Sequence, residues 1–339
     1  MGVVVVLITL LVTMLSGLTA GLARENISAV ENLPADHIVF SGGDKPAFAD
    51  SRISESAWKA WQAVDHVQAE RLGVSMARLT RGDDSEAVAV FAAQPGGRLA
   101  PASLRAGTVV LPAALAGDSD LSAGDTVQLL GRDFTVVVGD GTASYSHTPV
   151  AWISVEDWTP LARQGEPDTA ATVLALRTDD QADLTGLTAA DARLGTTTVP
   201  LADAPAAVGS YTSENGSLQL MRGFLFAISA LVIGAFFTVW TIQRRGDVAV
   251  LKALGAGTGY LLRDALAQAV VVLLLGAGIG GALGAGFGAL VEGTVPFVLS
   301  PATTIVPVVV MIALGAGGAA LAIHKITSVD PLTALGASR

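Results

Sequence analysis

The chain has 339 residues, of which 51% are hydrophobic and 15% charged, with a net charge of −10 and no cysteine. A mean hydropathy of +0.56 excludes an ordinary soluble globular protein. The missing cysteines exclude a disulfide framework, a thiolate metal site and a cysteine nucleophile, and the acidic balance argues against a nucleic-acid partner.

A helix needs about 20 apolar residues to cross the hydrocarbon core of a bilayer. Four stretches meet that length: 2–23, 218–242, 264–290 and 304–323. Between the first and second lies an insert of soluble composition, 24–217, with 13 Lys+Arg against 26 Asp+Glu. The short polar segments are basic, with Arg244, Arg245, Lys252, Arg263, Lys325 and Arg339 against Asp247, Asp264 and Asp330. The positive-inside rule applies to short segments. It puts both termini, the 243–263 segment and the 324–339 tail in the cytoplasm, and the insert and the 291–303 loop outside. The expected fold is an α-helical membrane protein with four transmembrane helices and an extracytoplasmic α+β domain inserted between the first two.

The first span (1–23) lacks a basic n-region and exceeds the apolar run of a signal peptide, so it is read as a retained helix. Thr9, Thr13, Gly17, Gly21 and Glu25 follow one another at four-residue steps and share a face. Such small-residue rows favour close helix packing in lipid. The expected partner is a second copy of the same helix across a two-fold axis. Two Glu25 carboxylates would then flank a cavity open to the outer leaflet, with Arg24 and Asn26 beside them. The alternative is that Glu25 simply marks the water interface.

Within the insert, 36–40 reads as a strand and 54–68 as a helix capped by Ser54, with Trp58, Trp61 and Val64–Val67 on its apolar side. Strands are expected at 88–92, 109–111, 134–138, 151–155 and 172–176, and after the turn that opens 121–129. A hairpin turn is expected at Gly131-Arg132-Asp133, a helical turn at Glu156-Asp157-Trp158, and a helix over 179–192. His37, His66, His147 and His324 are scattered without metal-ligand spacing, so no intrinsic metal or catalytic set is expected. Asp83-Asp84 and Asp179-Asp180 read as solvated loop charge, and Gly139-Asp140-Gly141 as a turn. No phosphate-binding loop of the G-x-x-x-x-G-K-[ST] type occurs, so this chain does not itself cradle ATP.

After the second span, Gln243-Arg244-Arg245-Gly246-Asp247-Val248-Ala249-Val250-Leu251-Lys252-Ala253-Leu254-Gly255-Ala256 makes a short amphipathic helix at the membrane surface, with Val248, Leu251, Leu254 and Leu262 as its stripe. Then Gly276, Gly280, Gly284 and Gly288 place a glycine ridge on one face of the third span, suited to close approach of another helix.

The Arg-Arg-Gly-Asp-Val-Ala-Val-Leu-Lys-Ala-Leu-Gly-Ala run resembles the coupling segment of MacB/FtsX-type ABC transporter permeases. Val329-Asp330-Pro331-Leu332-Thr333-Ala334-Leu335 resembles the closing motif of the same family. The Leu-Ser-Ala-Gly-Asp-Thr-Val to Ser-Val-Glu-Asp-Trp progression (121–158) is similar to the family's extracytoplasmic domain. The resemblance implies a permease that is not an enzyme alone. It would form a homodimer and be driven by two copies of a separate ABC ATPase, which binds ATP and Mg. The ATPase would grip Arg244, Arg245, Val248, Leu251, Lys252, Leu254 and Gly255, with Asp330 and Pro331 in the tail. The segment from Gly17 through Glu25 and Asn26 to Ser41 resembles the haem-exporter (HrtB-type) and DevC-like branch.

Met221, Arg222 and Phe224 open the second span at about the level expected for Glu25. A carboxylate, a thioether, a guanidinium and phenyl rings at one level suit a flat, amphipathic, anionic molecule. Haem is the substrate the resemblance implies, with Glu25 on iron and Arg24 or Arg222 toward the propionates. The expected function is outward expulsion of such a substrate from the outer leaflet of the cell membrane. Two alternatives stay open: transmission of ATPase motion to an outside partner, and export of a lipid, lipoprotein or peptide antibiotic.

Overall fold

The computed structural model describes residues 2–43, 45–163, 167–179, 184–244, 246, 250–251, 253–291 and 293–327. They divide into a helical unit, Met1–Leu22 with Gly216–Arg339, and a sheet-bearing unit, Ala23–Asn215.

Helix α1 (Gly2–Glu31) runs past the apolar stretch that ends at residue 23, and its last turns belong to the sheet-bearing unit. There follow β1 (His37–Ser41), β2 (Ile53–Ser54), α2 (Glu55–Gln62), β3 (Val67–Arg81), β4 (Asp84–Ala93), β5 (Thr108–Pro112), α3 (Ala113–Asp118), β6 (Thr126–Leu129) and β7 (Arg132–Gly139). Then come β8 (Ser144–Tyr145), β9 (Thr148–Ser154), α4 (Val155–Ala162), β10 (Thr169–Ala171), β11 (Val173–Thr178), α5 (Leu184–Leu194) and β12 (Thr196–Pro200). A 3₁₀ turn spans Leu201–Ala207.

β3 organises this unit because its two halves have different neighbours. Val67–Leu72 pairs with β11, Gly73–Arg81 with β4, and Leu79–Thr80 also with β6. The order β3-β4-β9-β5-β7-β6 therefore returns to β3 as a closed ring, and β11, β1 and β12 extend from the first half of β3. Closure removes the exposed edges that an open sheet would leave. The ring's core includes Leu79, Val88, Val90, Leu111, Phe134 and Ile153. Strand alternation divides the extension between two cores. Ile38, Phe40, Val173 and Ala175 pack with Ile27 and Val30 of α1 and with Leu33 just after it. Val39, Leu174 and Leu176 pack with Trp61 of α2 and Leu187 of α5.

Three local expectations change. Ser54 does cap α2, its hydroxyl accepting from the Ala57 amide at 3.1 Å. The helix, however, ends at Gln62 rather than reaching 68: His66 turns the chain at φ 63 and Val67 opens β3. The β6–β7 hairpin turns at Leu130 (φ 53) and Gly131 (φ 75), with Leu129 opposite Arg132, one residue before the expected turn. A two-residue loop with both residues left-handed matches the twist of its strands. Finally, most of β3 and the whole of β12 were not foreseen.

The helical unit adds α6 (Tyr211–Gln243) from Gly216 onward, α7 (Thr258–Val291) and α8 (Pro301–Thr327) to the first part of α1. All four are long and apolar enough to cross a membrane. Ile233, Phe237, Leu273, Ala277 and Met311 form part of their shared core with Val5 and Val12.

The glycine ridge of α7 lies against α1. A Cβ placed on Gly276 would meet Val5, one on Gly280 would lie 2.4 Å from the Val6 carbonyl oxygen, and one on Gly284 would lie 2.9 Å from the Thr13 Cβ. Gly288 meets the Phe297 ring, which also covers Gly17, while Gly21 lies against the Pro296 carbonyl. Thr9 and Thr13 are buried. The α1 row expected to meet a second copy is thus occupied by α7 and the 296–297 segment of its own chain. Two small-residue ridges of equal pitch fit each other, and an intrachain partner avoids the entropy of association.

Candidate functional site

In the sheet-bearing unit, α1 presents Glu25 and Asn26 to the tip of the β8–β9 hairpin. The hairpin turns at Ser146 (φ 51) and His147 (φ 60), between the paired residues Tyr145 and Thr148. Left-handed backbone at a non-glycine residue costs about 1–2 kcal/mol. The strain is offset by docking: the Ser146 amide donates to the Asn26 carbonyl at 2.8 Å and the His147 amide to the Glu25 carbonyl at 3.1 Å.

That docking fixes the imidazole of His147 between two carboxylates. Its Nε2 lies 2.8 Å from Glu214 Oε2, and its Nδ1 lies 3.8 Å from Glu25 Oε2. The first is a hydrogen bond; the second is too long to be one. Asn26 supports Glu214 from the other side. Its Nδ2 donates to Glu214 Oε2 at 2.8 Å and to Ser210 Oγ at 3.2 Å. Asn26 is 1% exposed, whereas the Glu25 and Glu214 side chains are each 44% exposed. Glu214 is therefore committed, and Glu25 is loosely held and half-exposed. The two carboxylates face opposite edges of the ring, so they do not converge on one cation. Among the described residues no His/Asp/Glu group has metal-holding geometry.

Of the residues foreseen for a substrate, Glu25 and Asn26 thus share one cluster, and Arg24 beside them is exposed. Met221, Arg222 and Phe224 belong to the helical unit. Met221 and Phe224 are exposed. Arg222 is partly buried and has no ion pair or hydrogen bond among the described residues. His147, Ser210 and Glu214 were not foreseen. Only the short Tyr-Ser-His-Thr run after a Gly-rich loop hinted at a turn carrying a histidine.

At the other end of α6, Arg244 stacks on the Trp240 ring at 4.9 Å and hydrogen-bonds Gln268, which donates to Asp264 at 2.8 Å. The segment that follows ends at Gly255 (φ 94), where the Ala256 amide donates to the Leu251 carbonyl at 3.0 Å. This closes a helix end in the glycine-dependent way. Leu251 and Leu254 are exposed, Leu254 at 80%. Arg245, Val248, Lys252, Asp330 and Pro331 lie outside the described residues.

Comparison with known proteins bears on both ends. Residues 220–331 match the FtsX-like permease C-terminal family. The chain is 28% identical over 341 residues to a putative hemin transport system permease protein, HrtB, of Staphylococcus haemolyticus, covering 98% of this chain and 93% of that one. It is 34% identical over 131 residues to the macrolide export ATP-binding/permease protein MacB of Rhodopseudomonas palustris, covering 37% of this chain and 20% of that one. Among solved structures it is similar to the extracellular domain of the noncanonic ABC-type transporter YknZ from Gram-positive bacteria. That match has a TM-score of 0.36 and 11% identity, and covers 49% of this chain and 98% of that one.

Proposed function

We propose that this chain is an ABC transporter permease subunit with an FtsX-like permease domain, and that it expels haem outward from the outer leaflet of the cell membrane. Its energy comes from a separate ATPase. The observation that carries the reading is Glu25: a carboxylate just past an apolar span, half-exposed and only loosely held. It stands in a chain whose near-full-length relative is named a hemin transport permease. Glu25 meets ferric iron, a hard cation that favours an anionic oxygen ligand. Arg24, exposed next to Glu25 in sequence, suits a propionate.

The chain has no phosphate-binding loop, so ATP and Mg belong to the partner subunit. The exposed Leu251 and Leu254, beside the glycine-closed helix end, are the surface that subunit grips on the cytoplasmic side. Two copies of the chain and two ATPases make the working assembly, with the termini inside and the sheet-bearing unit outside. Since α7 and the 296–297 segment cover the Thr9–Gly21 row, the copies meet through another face.

Titrating haem into the full-length protein in detergent while following the Soret band tests the substrate. Glu25→Ala is expected to lose binding and haem tolerance, and Glu25→Gln nearly as much, because a neutral amide is a poor iron ligand. Wild-type affinity in Glu25→Ala would move the ligand elsewhere, with Met221 the next candidate. Wild-type protein that binds no haem would refute the substrate.

A further inference from the structure

Resting on the reading of Glu25 as the substrate carboxylate, we infer that His147, anchored on Glu214, is a positioning residue. It gives Glu25 a defined resting place from which an incoming ligand can draw it. Three features carry the inference. First, the imidazole is immobilised from both ends: its own amide is docked on the Glu25 carbonyl at 3.1 Å, and Nε2 is bound to Glu214 at 2.8 Å. Second, Glu214 is immobilised in turn by the buried Asn26 amide at 2.8 Å. Third, the contact from this fixed ring to Glu25 is the slack one, at 3.8 Å. A chain of tight contacts ending in a loose one leaves a single group free to move.

The strained turn agrees with this. Neither Ser146 nor His147 is glycine, yet both hold left-handed backbone. A two-residue loop of Gly or Asn would turn the hairpin with less strain, so the side chain at position 147 is what the site retains. A carboxylate ligand ordinarily relies on such outer partners, and their loss weakens metal affinity about 10- to 100-fold. The site needs no resident metal for this arrangement.

The test uses the full-length protein with haem as the probe. His147→Ala and Glu214→Gln are each expected to weaken haem binding about tenfold or more. The iron should keep an oxygen-ligand spectrum in both. Combining the two is expected to add little, because the residues act as one unit. Wild-type affinity in both single variants would overturn the inference, and so would additive losses in the double variant. A nitrogen-ligand spectrum in wild type that vanishes in His147→Ala would make His147 the ligand itself, which also overturns a positioning role.

A ligand-free measurement separates this from the substrate question. Glu25→Gln and His147→Ala, alone and together, are compared by thermal unfolding without haem, and a non-additive shift is expected. Additivity would overturn the tether. Non-additivity in a protein that binds no haem would leave the tether standing and refute only the substrate.

Discussion

Replacing Gly280 with alanine tests whether α1 and α7 truly meet along their backbones. The added Cβ would lie 2.4 Å from the Val6 carbonyl oxygen and 2.9 Å from the Thr9 Cβ. Ordinary carbon–oxygen contacts lie at about 3.3–3.6 Å, so α7 must retreat by about 1 Å. A gap of that size forfeits between a quarter and a half of each dispersion contact along the seam. Neither Val6 O nor the helix carrying it can swing aside as a side-chain tip would. Overpacking of this kind costs about 1–3 kcal/mol, and Gly280→Leu should cost more. Gly286 on the same helix provides the control. It is exposed and nothing lies within 4 Å of its added Cβ, so Gly286→Ala should be neutral or gain up to about 1 kcal/mol of helix propensity. Two alanines less than two turns apart should therefore differ by about 1–4 kcal/mol. The assay is the fraction of protein still eluting as folded species from a sizing column after stepwise heating in detergent. If Gly280→Ala and Gly280→Leu melted with Gly286→Ala, the ridge would face lipid and the seam would be refuted.

Leu254→Asp should abolish capture of the ATPase partner, because a charge at the centre of an apolar contact costs several kcal/mol of affinity. Undiminished pull-down and ATPase stimulation would remove this residue from the coupling surface. Burial pushes the Tyr145 hydroxyl up to about 12 from its ordinary 10. Its contribution, of the order of 2–3 kcal/mol, is present in full below about pH 10 and is lost as pH rises through about 12. Phenolate absorbance near pH 10 in the folded protein that is lost in Tyr145→Phe would refute it.

The spans were legible because hydrophobic run length is a local property, as was the Ser54 cap. β3 was not. Val67–Arg81 carries Glu70, Met76 and several Arg, Leu and Ala, all good helix formers, and pairing with β4 across a two-residue turn and with the distant β6 and β11 makes it extended. The Thr9–Gly21 and Gly276–Gly288 rows were each visible as ridges. Their mutual fit was not, because a packing ridge says nothing of which helix will fill it. Glu25 stood out as a charge at the end of an apolar run. Its neighbours did not: His147 comes from a hairpin tip and Glu214 from the first turn of α6, and no local pattern joins positions so far apart.

The place of β1 bears on how the protein is made. It is the first strand to follow α1, yet His37 pairs with Leu176 on one side and Pro200 on the other. During synthesis α1 is available for membrane insertion long before either neighbour of β1 has emerged from the ribosome. The nascent segment therefore waits with both edges of β1 open, a state prone to mispairing and aggregation. Contacts of such long sequence separation also form slowly. Biogenesis of this unit is thus gated by its last strand, and a chain interrupted before Thr196 has no β12 with which to cover β1.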